Sequence, residues 1–375
     1  MPKIAVVIPQ FGLVGGAEQF ACHLTHQMTA YGYDFHVFAH SWKPIAGNVN
    51  FHPTGRIPFP RFLITPSFAW YARRNLKKEK WSLVHSHDRV FEADIFTLHG
   101  VPHRFWAQEV RGKKVLSLFD RATIWVERQM VKENKKSFFV CVSELTKSIF
   151  LEEYTIDSAR LLVIHPGVKV DPDFKAKKAQ ARSYLHYKYG IGKKERIIFF
   201  SSMNFEIKGL PEIISALKAL KKREQAFKLL VAGKGNWKRY EMMTGKAGIG
   251  NNVIFAGVLK RDELTQHYLG SDLYLMLSRF DTFGLVVLEA MACGLPVIIS
   301  AHVGAKDLIE EGKNGFIIAD PSDAEAVAAK ILHLFPEEHL APMSEAAFLT
   351  ARQYTWQETA RKYHDLYQRI LSARP

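Results

Sequence analysis

Short apolar runs alternate with longer amphipathic stretches along almost the whole chain. In the first half, the runs cover residues 3–9, 34–40, 81–85, 95–98, 138–142 and 161–164. Each run has the length of one buried strand, and the stretches between them have helical spacing. Such alternation predicts a parallel sheet with helices on both of its faces.

The alternation breaks at residues 167–195 and then resumes. The second series of apolar runs covers residues 196–202, 228–232, 253–256, 273–277, 296–300 and 315–319. We therefore predict an α/β protein with two doubly wound domains, residues 1–167 and 168–354. An aromatic-rich amphipathic helix follows at the C-terminus, and its pattern is compatible with packing on either domain.

Ligands of open parallel sheets bind beyond the carboxyl ends of the strands, so the strand-to-helix loops are the candidate sites. Gly15 and Gly16 lie between a strand and a helix that starts near Ala17, where bare backbone amides can hold an anion. The alternative is a turn that needs glycine only for its backbone freedom. The loop has no G-x-G-x-x-G pattern, which disfavours a nicotinamide cofactor.

Lys208 and Gly209 follow the first strand of the second series and precede a helix. An ammonium group beside free helix amides suits a phosphate or a diphosphate. The alternative for this pair is an ordinary solvated lysine near a helix terminus.

The segment 278–297 carries the most specific pattern in the chain. Asp281 precedes a helix that opens at Gly284, and Glu289 falls within the first turns among small and apolar residues. A carboxylate in such surroundings is unfavourable unless it is paired or binds ligand hydroxyls. The two acids around a helix start predict a site for a sugar and a phosphate.

The segment Phe-Asp-Thr-Phe-Gly-Leu-Val-Val-Leu-Glu-Ala-Met-Ala-Cys-Gly-Leu-Pro-Val resembles the signature of the retaining glycosyltransferases of family 4. Gly15-Gly16-Ala17-Glu18, Lys208-Gly209, 231–235, 255–258 and 304–315 also resemble that family in order and spacing. The similarity spans nearly the whole chain and extends most closely to the lipopolysaccharide core glucosyltransferase I group. It implies the GT-B fold, in which two Rossmann-like domains face each other across a cleft.

The resemblance also implies functions for the two predicted domains. Residues 1–167 would bind the acceptor, and residues 168–354 would bind a nucleotide-sugar donor. The C-terminal segment 355–375 would pack back on the first domain.

The resemblance implies roles for single residues. Glu289 would bind the donor ribose, Asp281 the donor sugar, and Lys208 the diphosphate. The remaining implied donor contacts are Gly15, Gly16, Val258, Phe283, Gly284, Leu285 and Val286. The sequence departs from the family in having Asp281 where glutamate is usual and Met203 where many members have arginine.

His99 ends a predicted strand and resembles a histidine near the reaction centre of many family members. The implied catalytic residues are therefore His99, Asp281 and Lys208. A strand-end histidine is also compatible with a purely structural role. His85 and His87 share one strand face, as two metal ligands would, but no further ligand is evident and we predict no metal.

The implied reaction moves a sugar, expected to be a hexose from UDP, to a hydroxyl of a cell-envelope glycan or glycolipid such as lipopolysaccharide core. The anomeric configuration is retained. We expect growing negative charge on the departing diphosphate to be stabilised by Lys208 and helix amides. The nucleotide sugar is a substrate, and no cofactor is expected.

The net charge of +14 is compatible with an anionic partner or surface, and equally with a basic surface that serves only solubility. Residues 102–136 hold nine Lys or Arg against four Asp or Glu, with bulky apolar residues between them. Such a segment is typical of an interfacial membrane element or a phosphoglycan contact, and equally of a core-facing amphipathic helix with a basic outer face. The pair Arg73-Arg74 and the pair Lys77-Lys78 add to the same hypothesis.

Three other classes are compatible with parts of the pattern. A nucleic-acid-binding protein is disfavoured because no binding module is recognisable and each half of the chain carries the same charge of +7. A catalytically inactive GT-B protein that binds glycans or anionic membranes is the main alternative. A GT-B sugar-nucleotide epimerase is disfavoured by the match of the acidic pair to transferases.

The three cysteines are scattered and odd in number, which argues against a disulfide framework. We expect a cytoplasmic protein, located at the inner face of the cytoplasmic membrane if the segment 102–136 binds lipid.

Overall fold

The computed structural model describes residues 1–12, 15–43 and 49–373. The chain divides into two compact units. The first unit comprises Met1–Gly167 together with the segment that begins at Trp356, and the second comprises Val168–Thr355. The last two residues of the predicted C-terminal segment lie outside the described residues.

The first unit contains a seven-stranded sheet in which every neighbouring pair is parallel. The strands of this unit are β1 (Lys3–Val7), β2 (Gln10–Phe11), β3 (Asp34–Ala39), β4 (Ser41–Trp42), β5 (Val49–Pro53), β6 (Leu83–Ser86), β7 (Ile95–Leu98), β8 (Phe138–Cys141) and β9 (Leu161–Val163). The order in the sheet is β5-β3-β1-β6-β7-β8-β9, and β2 pairs separately with β4. Strand order therefore reverses its direction between β1 and β6.

The second unit contains a six-stranded parallel sheet. Its strands are β10 (Arg196–Ser202), β11 (Phe227–Gly233), β12 (Val253–Gly257), β13 (Leu273–Met276), β14 (Val297–Ser300) and β15 (Gly315–Ile318). The order is β12-β11-β10-β13-β14-β15, with the reversal between β10 and β13. The predicted α/β class with two doubly wound parallel sheets is confirmed.

Helices connect the strands in both units. They are α1 (Gly16–Met28), α2 (Ile64–Leu76), α3 (His103–Phe105), α4 (Leu118–Glu133), α5 (Glu144–Glu153), α6 (Phe174–Tyr189), α7 (Leu210–Lys221), α8 (Trp237–Lys246), α9 (Arg261–Gly270), α10 (Leu285–Ala292), α11 (Ala324–Leu334), α12 (Glu337–Ala351) and α13 (Trp356–Ser372). A single π-helical turn covers Trp106–Val110. None of the helices within the described ranges is both long and apolar enough to cross a bilayer.

The C-terminal helix α13 belongs to the core of the first unit. Its residues Trp356, Tyr363 and Tyr367 are buried with α1 and with the inner residues of β1 and β3. The opposite face of the same sheet packs on α2 and α4. Helix α13 therefore covers one face of the sheet of the first unit, although it follows the second unit in sequence.

The sequence pattern missed β5 at the edge of the first sheet. None of its five residues is fully buried, and the strand contains asparagine, histidine and proline. An edge strand needs no continuous apolar run because one of its sides is open to solvent. Its pairing with β3 is therefore decided by the sheet and not by its own sequence.

Candidate functional site

The candidate donor site lies where strand order reverses in the second unit. The loop after β10 and the loop after β13 meet there, as expected for ligand sites of open parallel sheets. The backbone amide of Arg279 donates to the carbonyl of Ile207 over 2.8 Å, which ties the two loops together. Gly209 has a φ of 83°, and a Cβ there would lie 2.0 Å from the carbonyl oxygen of Leu277. Only glycine permits this close approach.

Lys208 and Asp281 are brought together from these two loops. The Nζ atom of Lys208 is ion-paired and hydrogen-bonded with Oδ2 of Asp281, and both side chains are largely buried. The other carboxylate oxygen, Oδ1, accepts from the backbone amide of Phe283 at 3.2 Å. The two predicted residues, 73 positions apart in sequence, therefore form one charged pair at the strand ends.

The backbone of Asp281 is fixed by the segment that follows β14. Its amide donates to the carbonyl of His302, and its own carbonyl accepts from the amide of Gly304, each over 3.0 Å. These bonds form a short parallel bridge that holds the carboxylate in place.

Helix α10 starts directly after this pair. Gly284 is its N-cap residue with a φ of 85°, and a Cβ there would lie 2.9 Å from Val303. Glycine has no side chain that could cap the helix, so the first turn at Leu285 and Val286 presents its backbone amides as an anion site. The side chain of Phe283 is buried, and its backbone amide is hydrogen-bonded to the carboxylate of Asp281. Phe283 therefore anchors the turn between Asp281 and the helix.

Glu289 lies on α10, one turn deeper than the predicted anion site. Burial raises the pKa of Glu289 to about 7, while the charge of Arg261 and a hydrogen bond from Tyr268 act in the opposite direction. The hydroxyl of Tyr268 is also 3.0 Å from Oγ of Ser201 at the end of β10. A carboxylate held this way is a strong hydrogen-bond acceptor for ligand hydroxyls.

Val258 follows β12 and is exposed, with 65% of its surface accessible. The preceding Gly257 lines a cavity of about 240 Å³ at the ends of β10, β11 and β12. Aromatic side chains of Phe205, Trp237 and Phe255 also line this cavity. The arrangement offers flat apolar surfaces beside the predicted donor residues.

The first unit has its own cavity at the corresponding reversal of strand order. This cavity, of about 400 Å³, is lined by Ile8 and Pro9 after β1, by His87 after β6 and by His99 after β7. Nδ1 of His87 and Nε2 of His99 are 2.9 Å apart. Burial lowers the pKa of His99 to about 3 and places the pKa of His87 well below its ordinary value, so both rings are neutral.

His85 lies beneath this pair and is fully buried. Its Nδ1 is 2.7 Å from the hydroxyl of Tyr367, and its Nε2 is 2.7 Å from Oγ1 of Thr97. The same Thr97 oxygen is 2.7 Å from the hydroxyl of Tyr363. Helix α13 thus supplies Tyr367, which bonds to His85 directly, and Tyr363, which bonds to its other partner, Thr97.

The two nitrogens of His85 are both occupied by these hydrogen bonds, which leaves neither for a metal ion. Within residues 1–12, 15–43 and 49–373, no group of three or more His, Cys, Asp or Glu side chains has a metal-binding arrangement. Metal independence of the reaction stays a prediction.

A buried ion pair that the sequence analysis did not identify forms another wall of the cavity. Nε of Arg89 donates to Oε2 of Glu127 over 2.6 Å, and its Nη2 donates to the carbonyl of Val101 over 3.2 Å. Glu127 also accepts from the hydroxyl of Tyr154 over 2.7 Å. The signal that could have revealed Glu127 is its spacing of three from buried Ile124 on an amphipathic helix.

The glycine loop at Gly15 and Gly16 leads into α1. Gly15 is the N-cap residue, and the carboxylate of Glu18 lies so close that a Cβ on Gly15 would be 2.5 Å from Oε2. The helix start therefore already has a carboxylate beside it. The assignment of these two glycines to donor binding stays a prediction.

The basic segment 102–136 is divided between the core and the surface. Ile124 is buried, whereas Leu118 and Trp125 on α4 are exposed, as is Val115. Part of the basic charge is internally paired: Nζ of Lys113 and the ring of His103 both contact Asp120. The exposed residues, and not the whole segment, are the candidates for contact with a membrane.

Two family profiles match the chain. The profile "Glycosyltransferase Family 4" matches residues 14–172, and "Glycosyl transferases group 1" matches residues 182–349. Together the two matches cover most of the chain, one in each unit.

Curated and solved relatives cover the chain from end to end. A D-inositol 3-phosphate glycosyltransferase of Corynebacterium jeikeium is 25% identical, over 96% of this chain and 93% of the relative. The crystal structure of WaaG, a glycosyltransferase involved in lipopolysaccharide biosynthesis, has a TM-score of 0.78 at 19% identity, covering 97% of this chain and 99% of WaaG. Anabaena Alr3699/HepE in complex with UDP-glucose has a TM-score of 0.71 at 17% identity, covering 98% and 100%.

These matches agree with the two parallel doubly wound sheets of the chain. The chain therefore belongs to the group 1 and family 4 glycosyltransferases and has their GT-B fold, resembling the lipopolysaccharide core glucosyltransferases.

Proposed function

We propose that this glycosyltransferase transfers a hexose from a UDP-sugar, with retention of the anomeric configuration, to a hydroxyl of a cell-envelope glycan or glycolipid. The observation that carries the proposal is the Lys208–Asp281 pair in front of helix α10, with Glu289 half-buried behind it. Positive charge, helix amides and a hydroxyl-binding carboxylate are the groups that a nucleoside diphosphate sugar requires.

In the proposed complex, Glu289 accepts hydrogen bonds from the ribose hydroxyls. The diphosphate lies at the amides of 284–286 with Lys208 beside it, and Asp281 contacts the sugar hydroxyls. The base lies near Val258 and the aromatic cavity at the ends of β10–β12. The complex of Anabaena HepE with UDP-glucose supports UDP as the nucleotide.

The chemical contribution of the second unit is stabilisation of the leaving group. As the glycosidic bond breaks, negative charge grows on the diphosphate, and Lys208 is already held in position by Asp281. A fixed cation needs no reorganisation at the moment of reaction. We propose that the departing phosphate takes the proton of the acceptor hydroxyl on the same face of the sugar. A trapped covalent glycosyl-enzyme would contradict this mechanism.

The proposed acceptor class rests on the relatives and on the first unit. WaaG is described as acting in lipopolysaccharide biosynthesis, and the Corynebacterium relative is named for inositol 3-phosphate. His99 lines the cavity of the first unit, where the acceptor would bind. A role of His99 at the reaction centre is part of the proposal.

Contact with an anionic membrane is the proposed route to a lipid-linked acceptor. Large apolar side chains of Trp70, Val115, Leu118 and Trp125 are exposed in the first unit. The guanidinium of Arg74 lies over the Trp70 ring at 5.5 Å, which combines a basic and an aromatic group at one point. Such combinations are typical of interfacial binding, and they support a location at the inner face of the cytoplasmic membrane.

The alternative is a catalytically inactive GT-B protein that binds glycans or anionic membranes. Asp281 in place of glutamate and Met203 in place of arginine favour this alternative over a different enzyme class. Acceptor-dependent turnover separates the two candidates.

The test of the proposal is thermal unfolding with UDP, GDP, ADP and their common sugar conjugates, each with and without EDTA. A ligand at 100 times its Kd stabilises by about 2.7 kcal/mol, which is readily measured. We expect UDP and a UDP-hexose to stabilise, with no effect of EDTA. Stabilisation by GDP compounds alone would change the proposed donor, loss with EDTA would contradict metal independence, and no nucleotide effect would favour the inactive alternative.

A further inference from the structure

The cavity of the first unit contains a buried nitrogen without a hydrogen-bond partner. His87 is 5% exposed, and its Nε2 has no partner among the residues that the structure describes, although its Nδ1 is paired with His99. Buried polar atoms of native proteins are almost always satisfied. His87 lines the cavity of about 400 Å³, a size that is ordinary for a ligand pocket.

The two histidines are linked so that their free nitrogens have opposite polarity. Both rings are neutral, so each carries one N–H, and one hydrogen lies between Nδ1 of His87 and Nε2 of His99. If His87 donates that hydrogen, its Nε2 is a bare acceptor; if His99 donates it, Nε2 of His87 carries a hydrogen and donates. A hydroxyl both donates and accepts, so it can form a hydrogen bond with Nε2 of His87 in either tautomer.

The charged groups around the cavity do not favour an anion. Two arginines line it, Arg56 and Arg89, against three carboxylates, Glu18, Asp88 and Glu127. Arg89 is held by Glu127 at 2.6 Å and by a backbone carbonyl. The cavity is therefore slightly acidic by formal charge, although the whole chain carries +14.

We infer that this cavity binds an uncharged, hydroxyl-bearing sugar ring, with Nε2 of His87 bonded directly to one hydroxyl. The inference rests on the proposed function and narrows it, because it excludes a phosphorylated moiety at this position. The ring has two possible sources, the acceptor glycan or the hexosyl group of the donor.

The test compares variants that separate the two nitrogens of His87. In His87→Asn the amide reaches the position of Nδ1 and the Nε2 position is lost. In His87→Gln an amide nitrogen reaches the position of Nε2. The matched control is His36→Asn, because His36 also has its Nδ1 paired with a histidine, His52, at 2.8 Å, but lies outside the cavity.

The probes are the methyl glycosides of glucose, galactose, mannose and N-acetylglucosamine, together with glucose 6-phosphate and inorganic phosphate. Binding to the full chain is titrated by saturation-transfer NMR. We expect at least one methyl glycoside to bind, with affinity at least about tenfold weaker in His87→Asn, within about threefold of the parent in His87→Gln and unchanged in His36→Asn. Inorganic phosphate is expected not to compete.

A parallel titration with UDP-glucose and UDP distinguishes the two sources of the ring. If the cavity holds the donor hexose, His87→Asn weakens UDP-glucose and leaves UDP unchanged. If it holds the acceptor sugar, His87→Asn weakens the methyl glycosides alone. Either result supports the inference.

The inference is overturned if neither the methyl glycosides nor the glucose group of UDP-glucose responds to His87→Asn. It is also overturned if glucose 6-phosphate binds the parent protein more tightly than methyl glucoside, or if phosphate displaces the glycosides. The competition of glucose 6-phosphate and phosphate with the methyl glycosides uses the parent protein alone. It therefore tests the inference even if His87→Asn does not fold. Failure of every nucleotide to bind would contradict the proposed function, independently of these sugar titrations.

Discussion

The two units place their functional groups at the same point of the same architecture but use opposite electrostatics. In the second unit, Lys208 and Asp281 meet as a charged pair where strand order reverses between β10 and β13. In the first unit, the reversal between β1 and β6 presents neutral imidazoles, His87 and His99. The doubly wound sheet decides where a ligand can bind, and the side chains at the strand ends decide which chemistry it meets.

The two sites are also held in place by different kinds of contact. The charged site is fixed by backbone contacts between loops, with glycines at the points of closest approach. The neutral site is fixed by buried side-chain hydrogen bonds that end on two tyrosines of α13. Charged groups in the second unit should therefore control turnover, and hydroxyls in the first unit should control stability.

The largest expected effect is that of Lys208→Ala on sugar transfer. Removing a preorganised charge from a developing anion costs about 10²–10³-fold in kcat. Initial rates of transfer from UDP-glucose measure the effect, and the exposed Lys234 in the neighbouring loop provides the control variant Lys234→Ala. A loss of kcat smaller than about threefold in Lys208→Ala would contradict the claim that the charged pair of the second unit controls turnover.

The next effect concerns Glu289→Gln, which should weaken UDP binding by about tenfold and yet stabilise the fold at alkaline pH. The folded-state pKa of about 7 is above the ordinary value of 4.5, so the native state binds the proton more tightly than the unfolded chain. The carboxyl group therefore contributes its stability below pH 4.5, and this is lost as pH rises through 7.

At about pH 8 the parent protein carries the full cost of a buried carboxylate, on the order of 2 kcal/mol. The substituted glutamine amide carries no charge at any pH. The variant and the parent should therefore have similar free energies of unfolding below pH 4.5, diverge as the pH rises from 4.5 through 7, and keep a constant difference at higher pH. Urea unfolding at both ends of this range checks the prediction. A variant that is less stable than the parent at the alkaline end would show that Glu289 is stabilised by its ionised contacts.

Tyr367→Phe should destabilise the first unit without affecting the nucleotide. The substitution leaves Nδ1 of the fully buried His85 without its partner, which costs about 1–3 kcal/mol. Tyr363→Phe should act in the same direction through Thr97. Hydrogen exchange of β6 and β7 measures the local loss, and UDP affinity should stay within about twofold.

The control for the tyrosine variants is Tyr187→Phe, because that side chain is 92% exposed in the second unit. It should change neither hydrogen exchange nor nucleotide binding. Equal protection of β6 in Tyr367→Phe and in the parent would mean that α13 does not support the neutral site through its hydroxyls.

The smallest expected effect is at the proposed membrane surface. Replacing the exposed Leu118 and Trp125 with serine should weaken binding to anionic vesicles about threefold to tenfold, and added salt should weaken the parent as well. Co-sedimentation with vesicles of about 30% anionic lipid measures both, with Trp237→Ser as the control in the second unit. Equal binding of the parent to neutral and anionic vesicles would contradict the proposed surface.

The fold class could be predicted from the sequence because a buried parallel strand has a local signature. The runs at 95–98 and 196–202 coincide with β7 and β10. β5 was not predicted because an edge strand lacks the continuous apolar run of a buried strand. The signature at 281–289 likewise identified the acids of the second unit, since their spacing within one loop and one helix is fixed locally.

The partners of those residues could not be predicted in the same way. Nothing near Glu127 in sequence indicates that it binds Arg89, and nothing near His85 indicates Tyr367, 282 positions away. Leu118, Ile124 and Trp125 all belong to the basic segment 102–136, yet Ile124 is buried while Leu118 and Trp125 are exposed. Such pairings depend on how elements pack, which a local pattern does not encode.

The sequence by itself determined the two parallel sheets and singled out the loops and the residues Lys208, Asp281 and Glu289 that are proposed to bind the donor. These features follow from hydrophobic periodicity and from glycine at the helix starts, which act over a few neighbouring residues. Only the tertiary structure decided which charges are paired, which histidines are neutral and which nitrogen lacks a partner among the described residues. Burial and hydrogen bonding set these properties, and both arise when distant segments pack together.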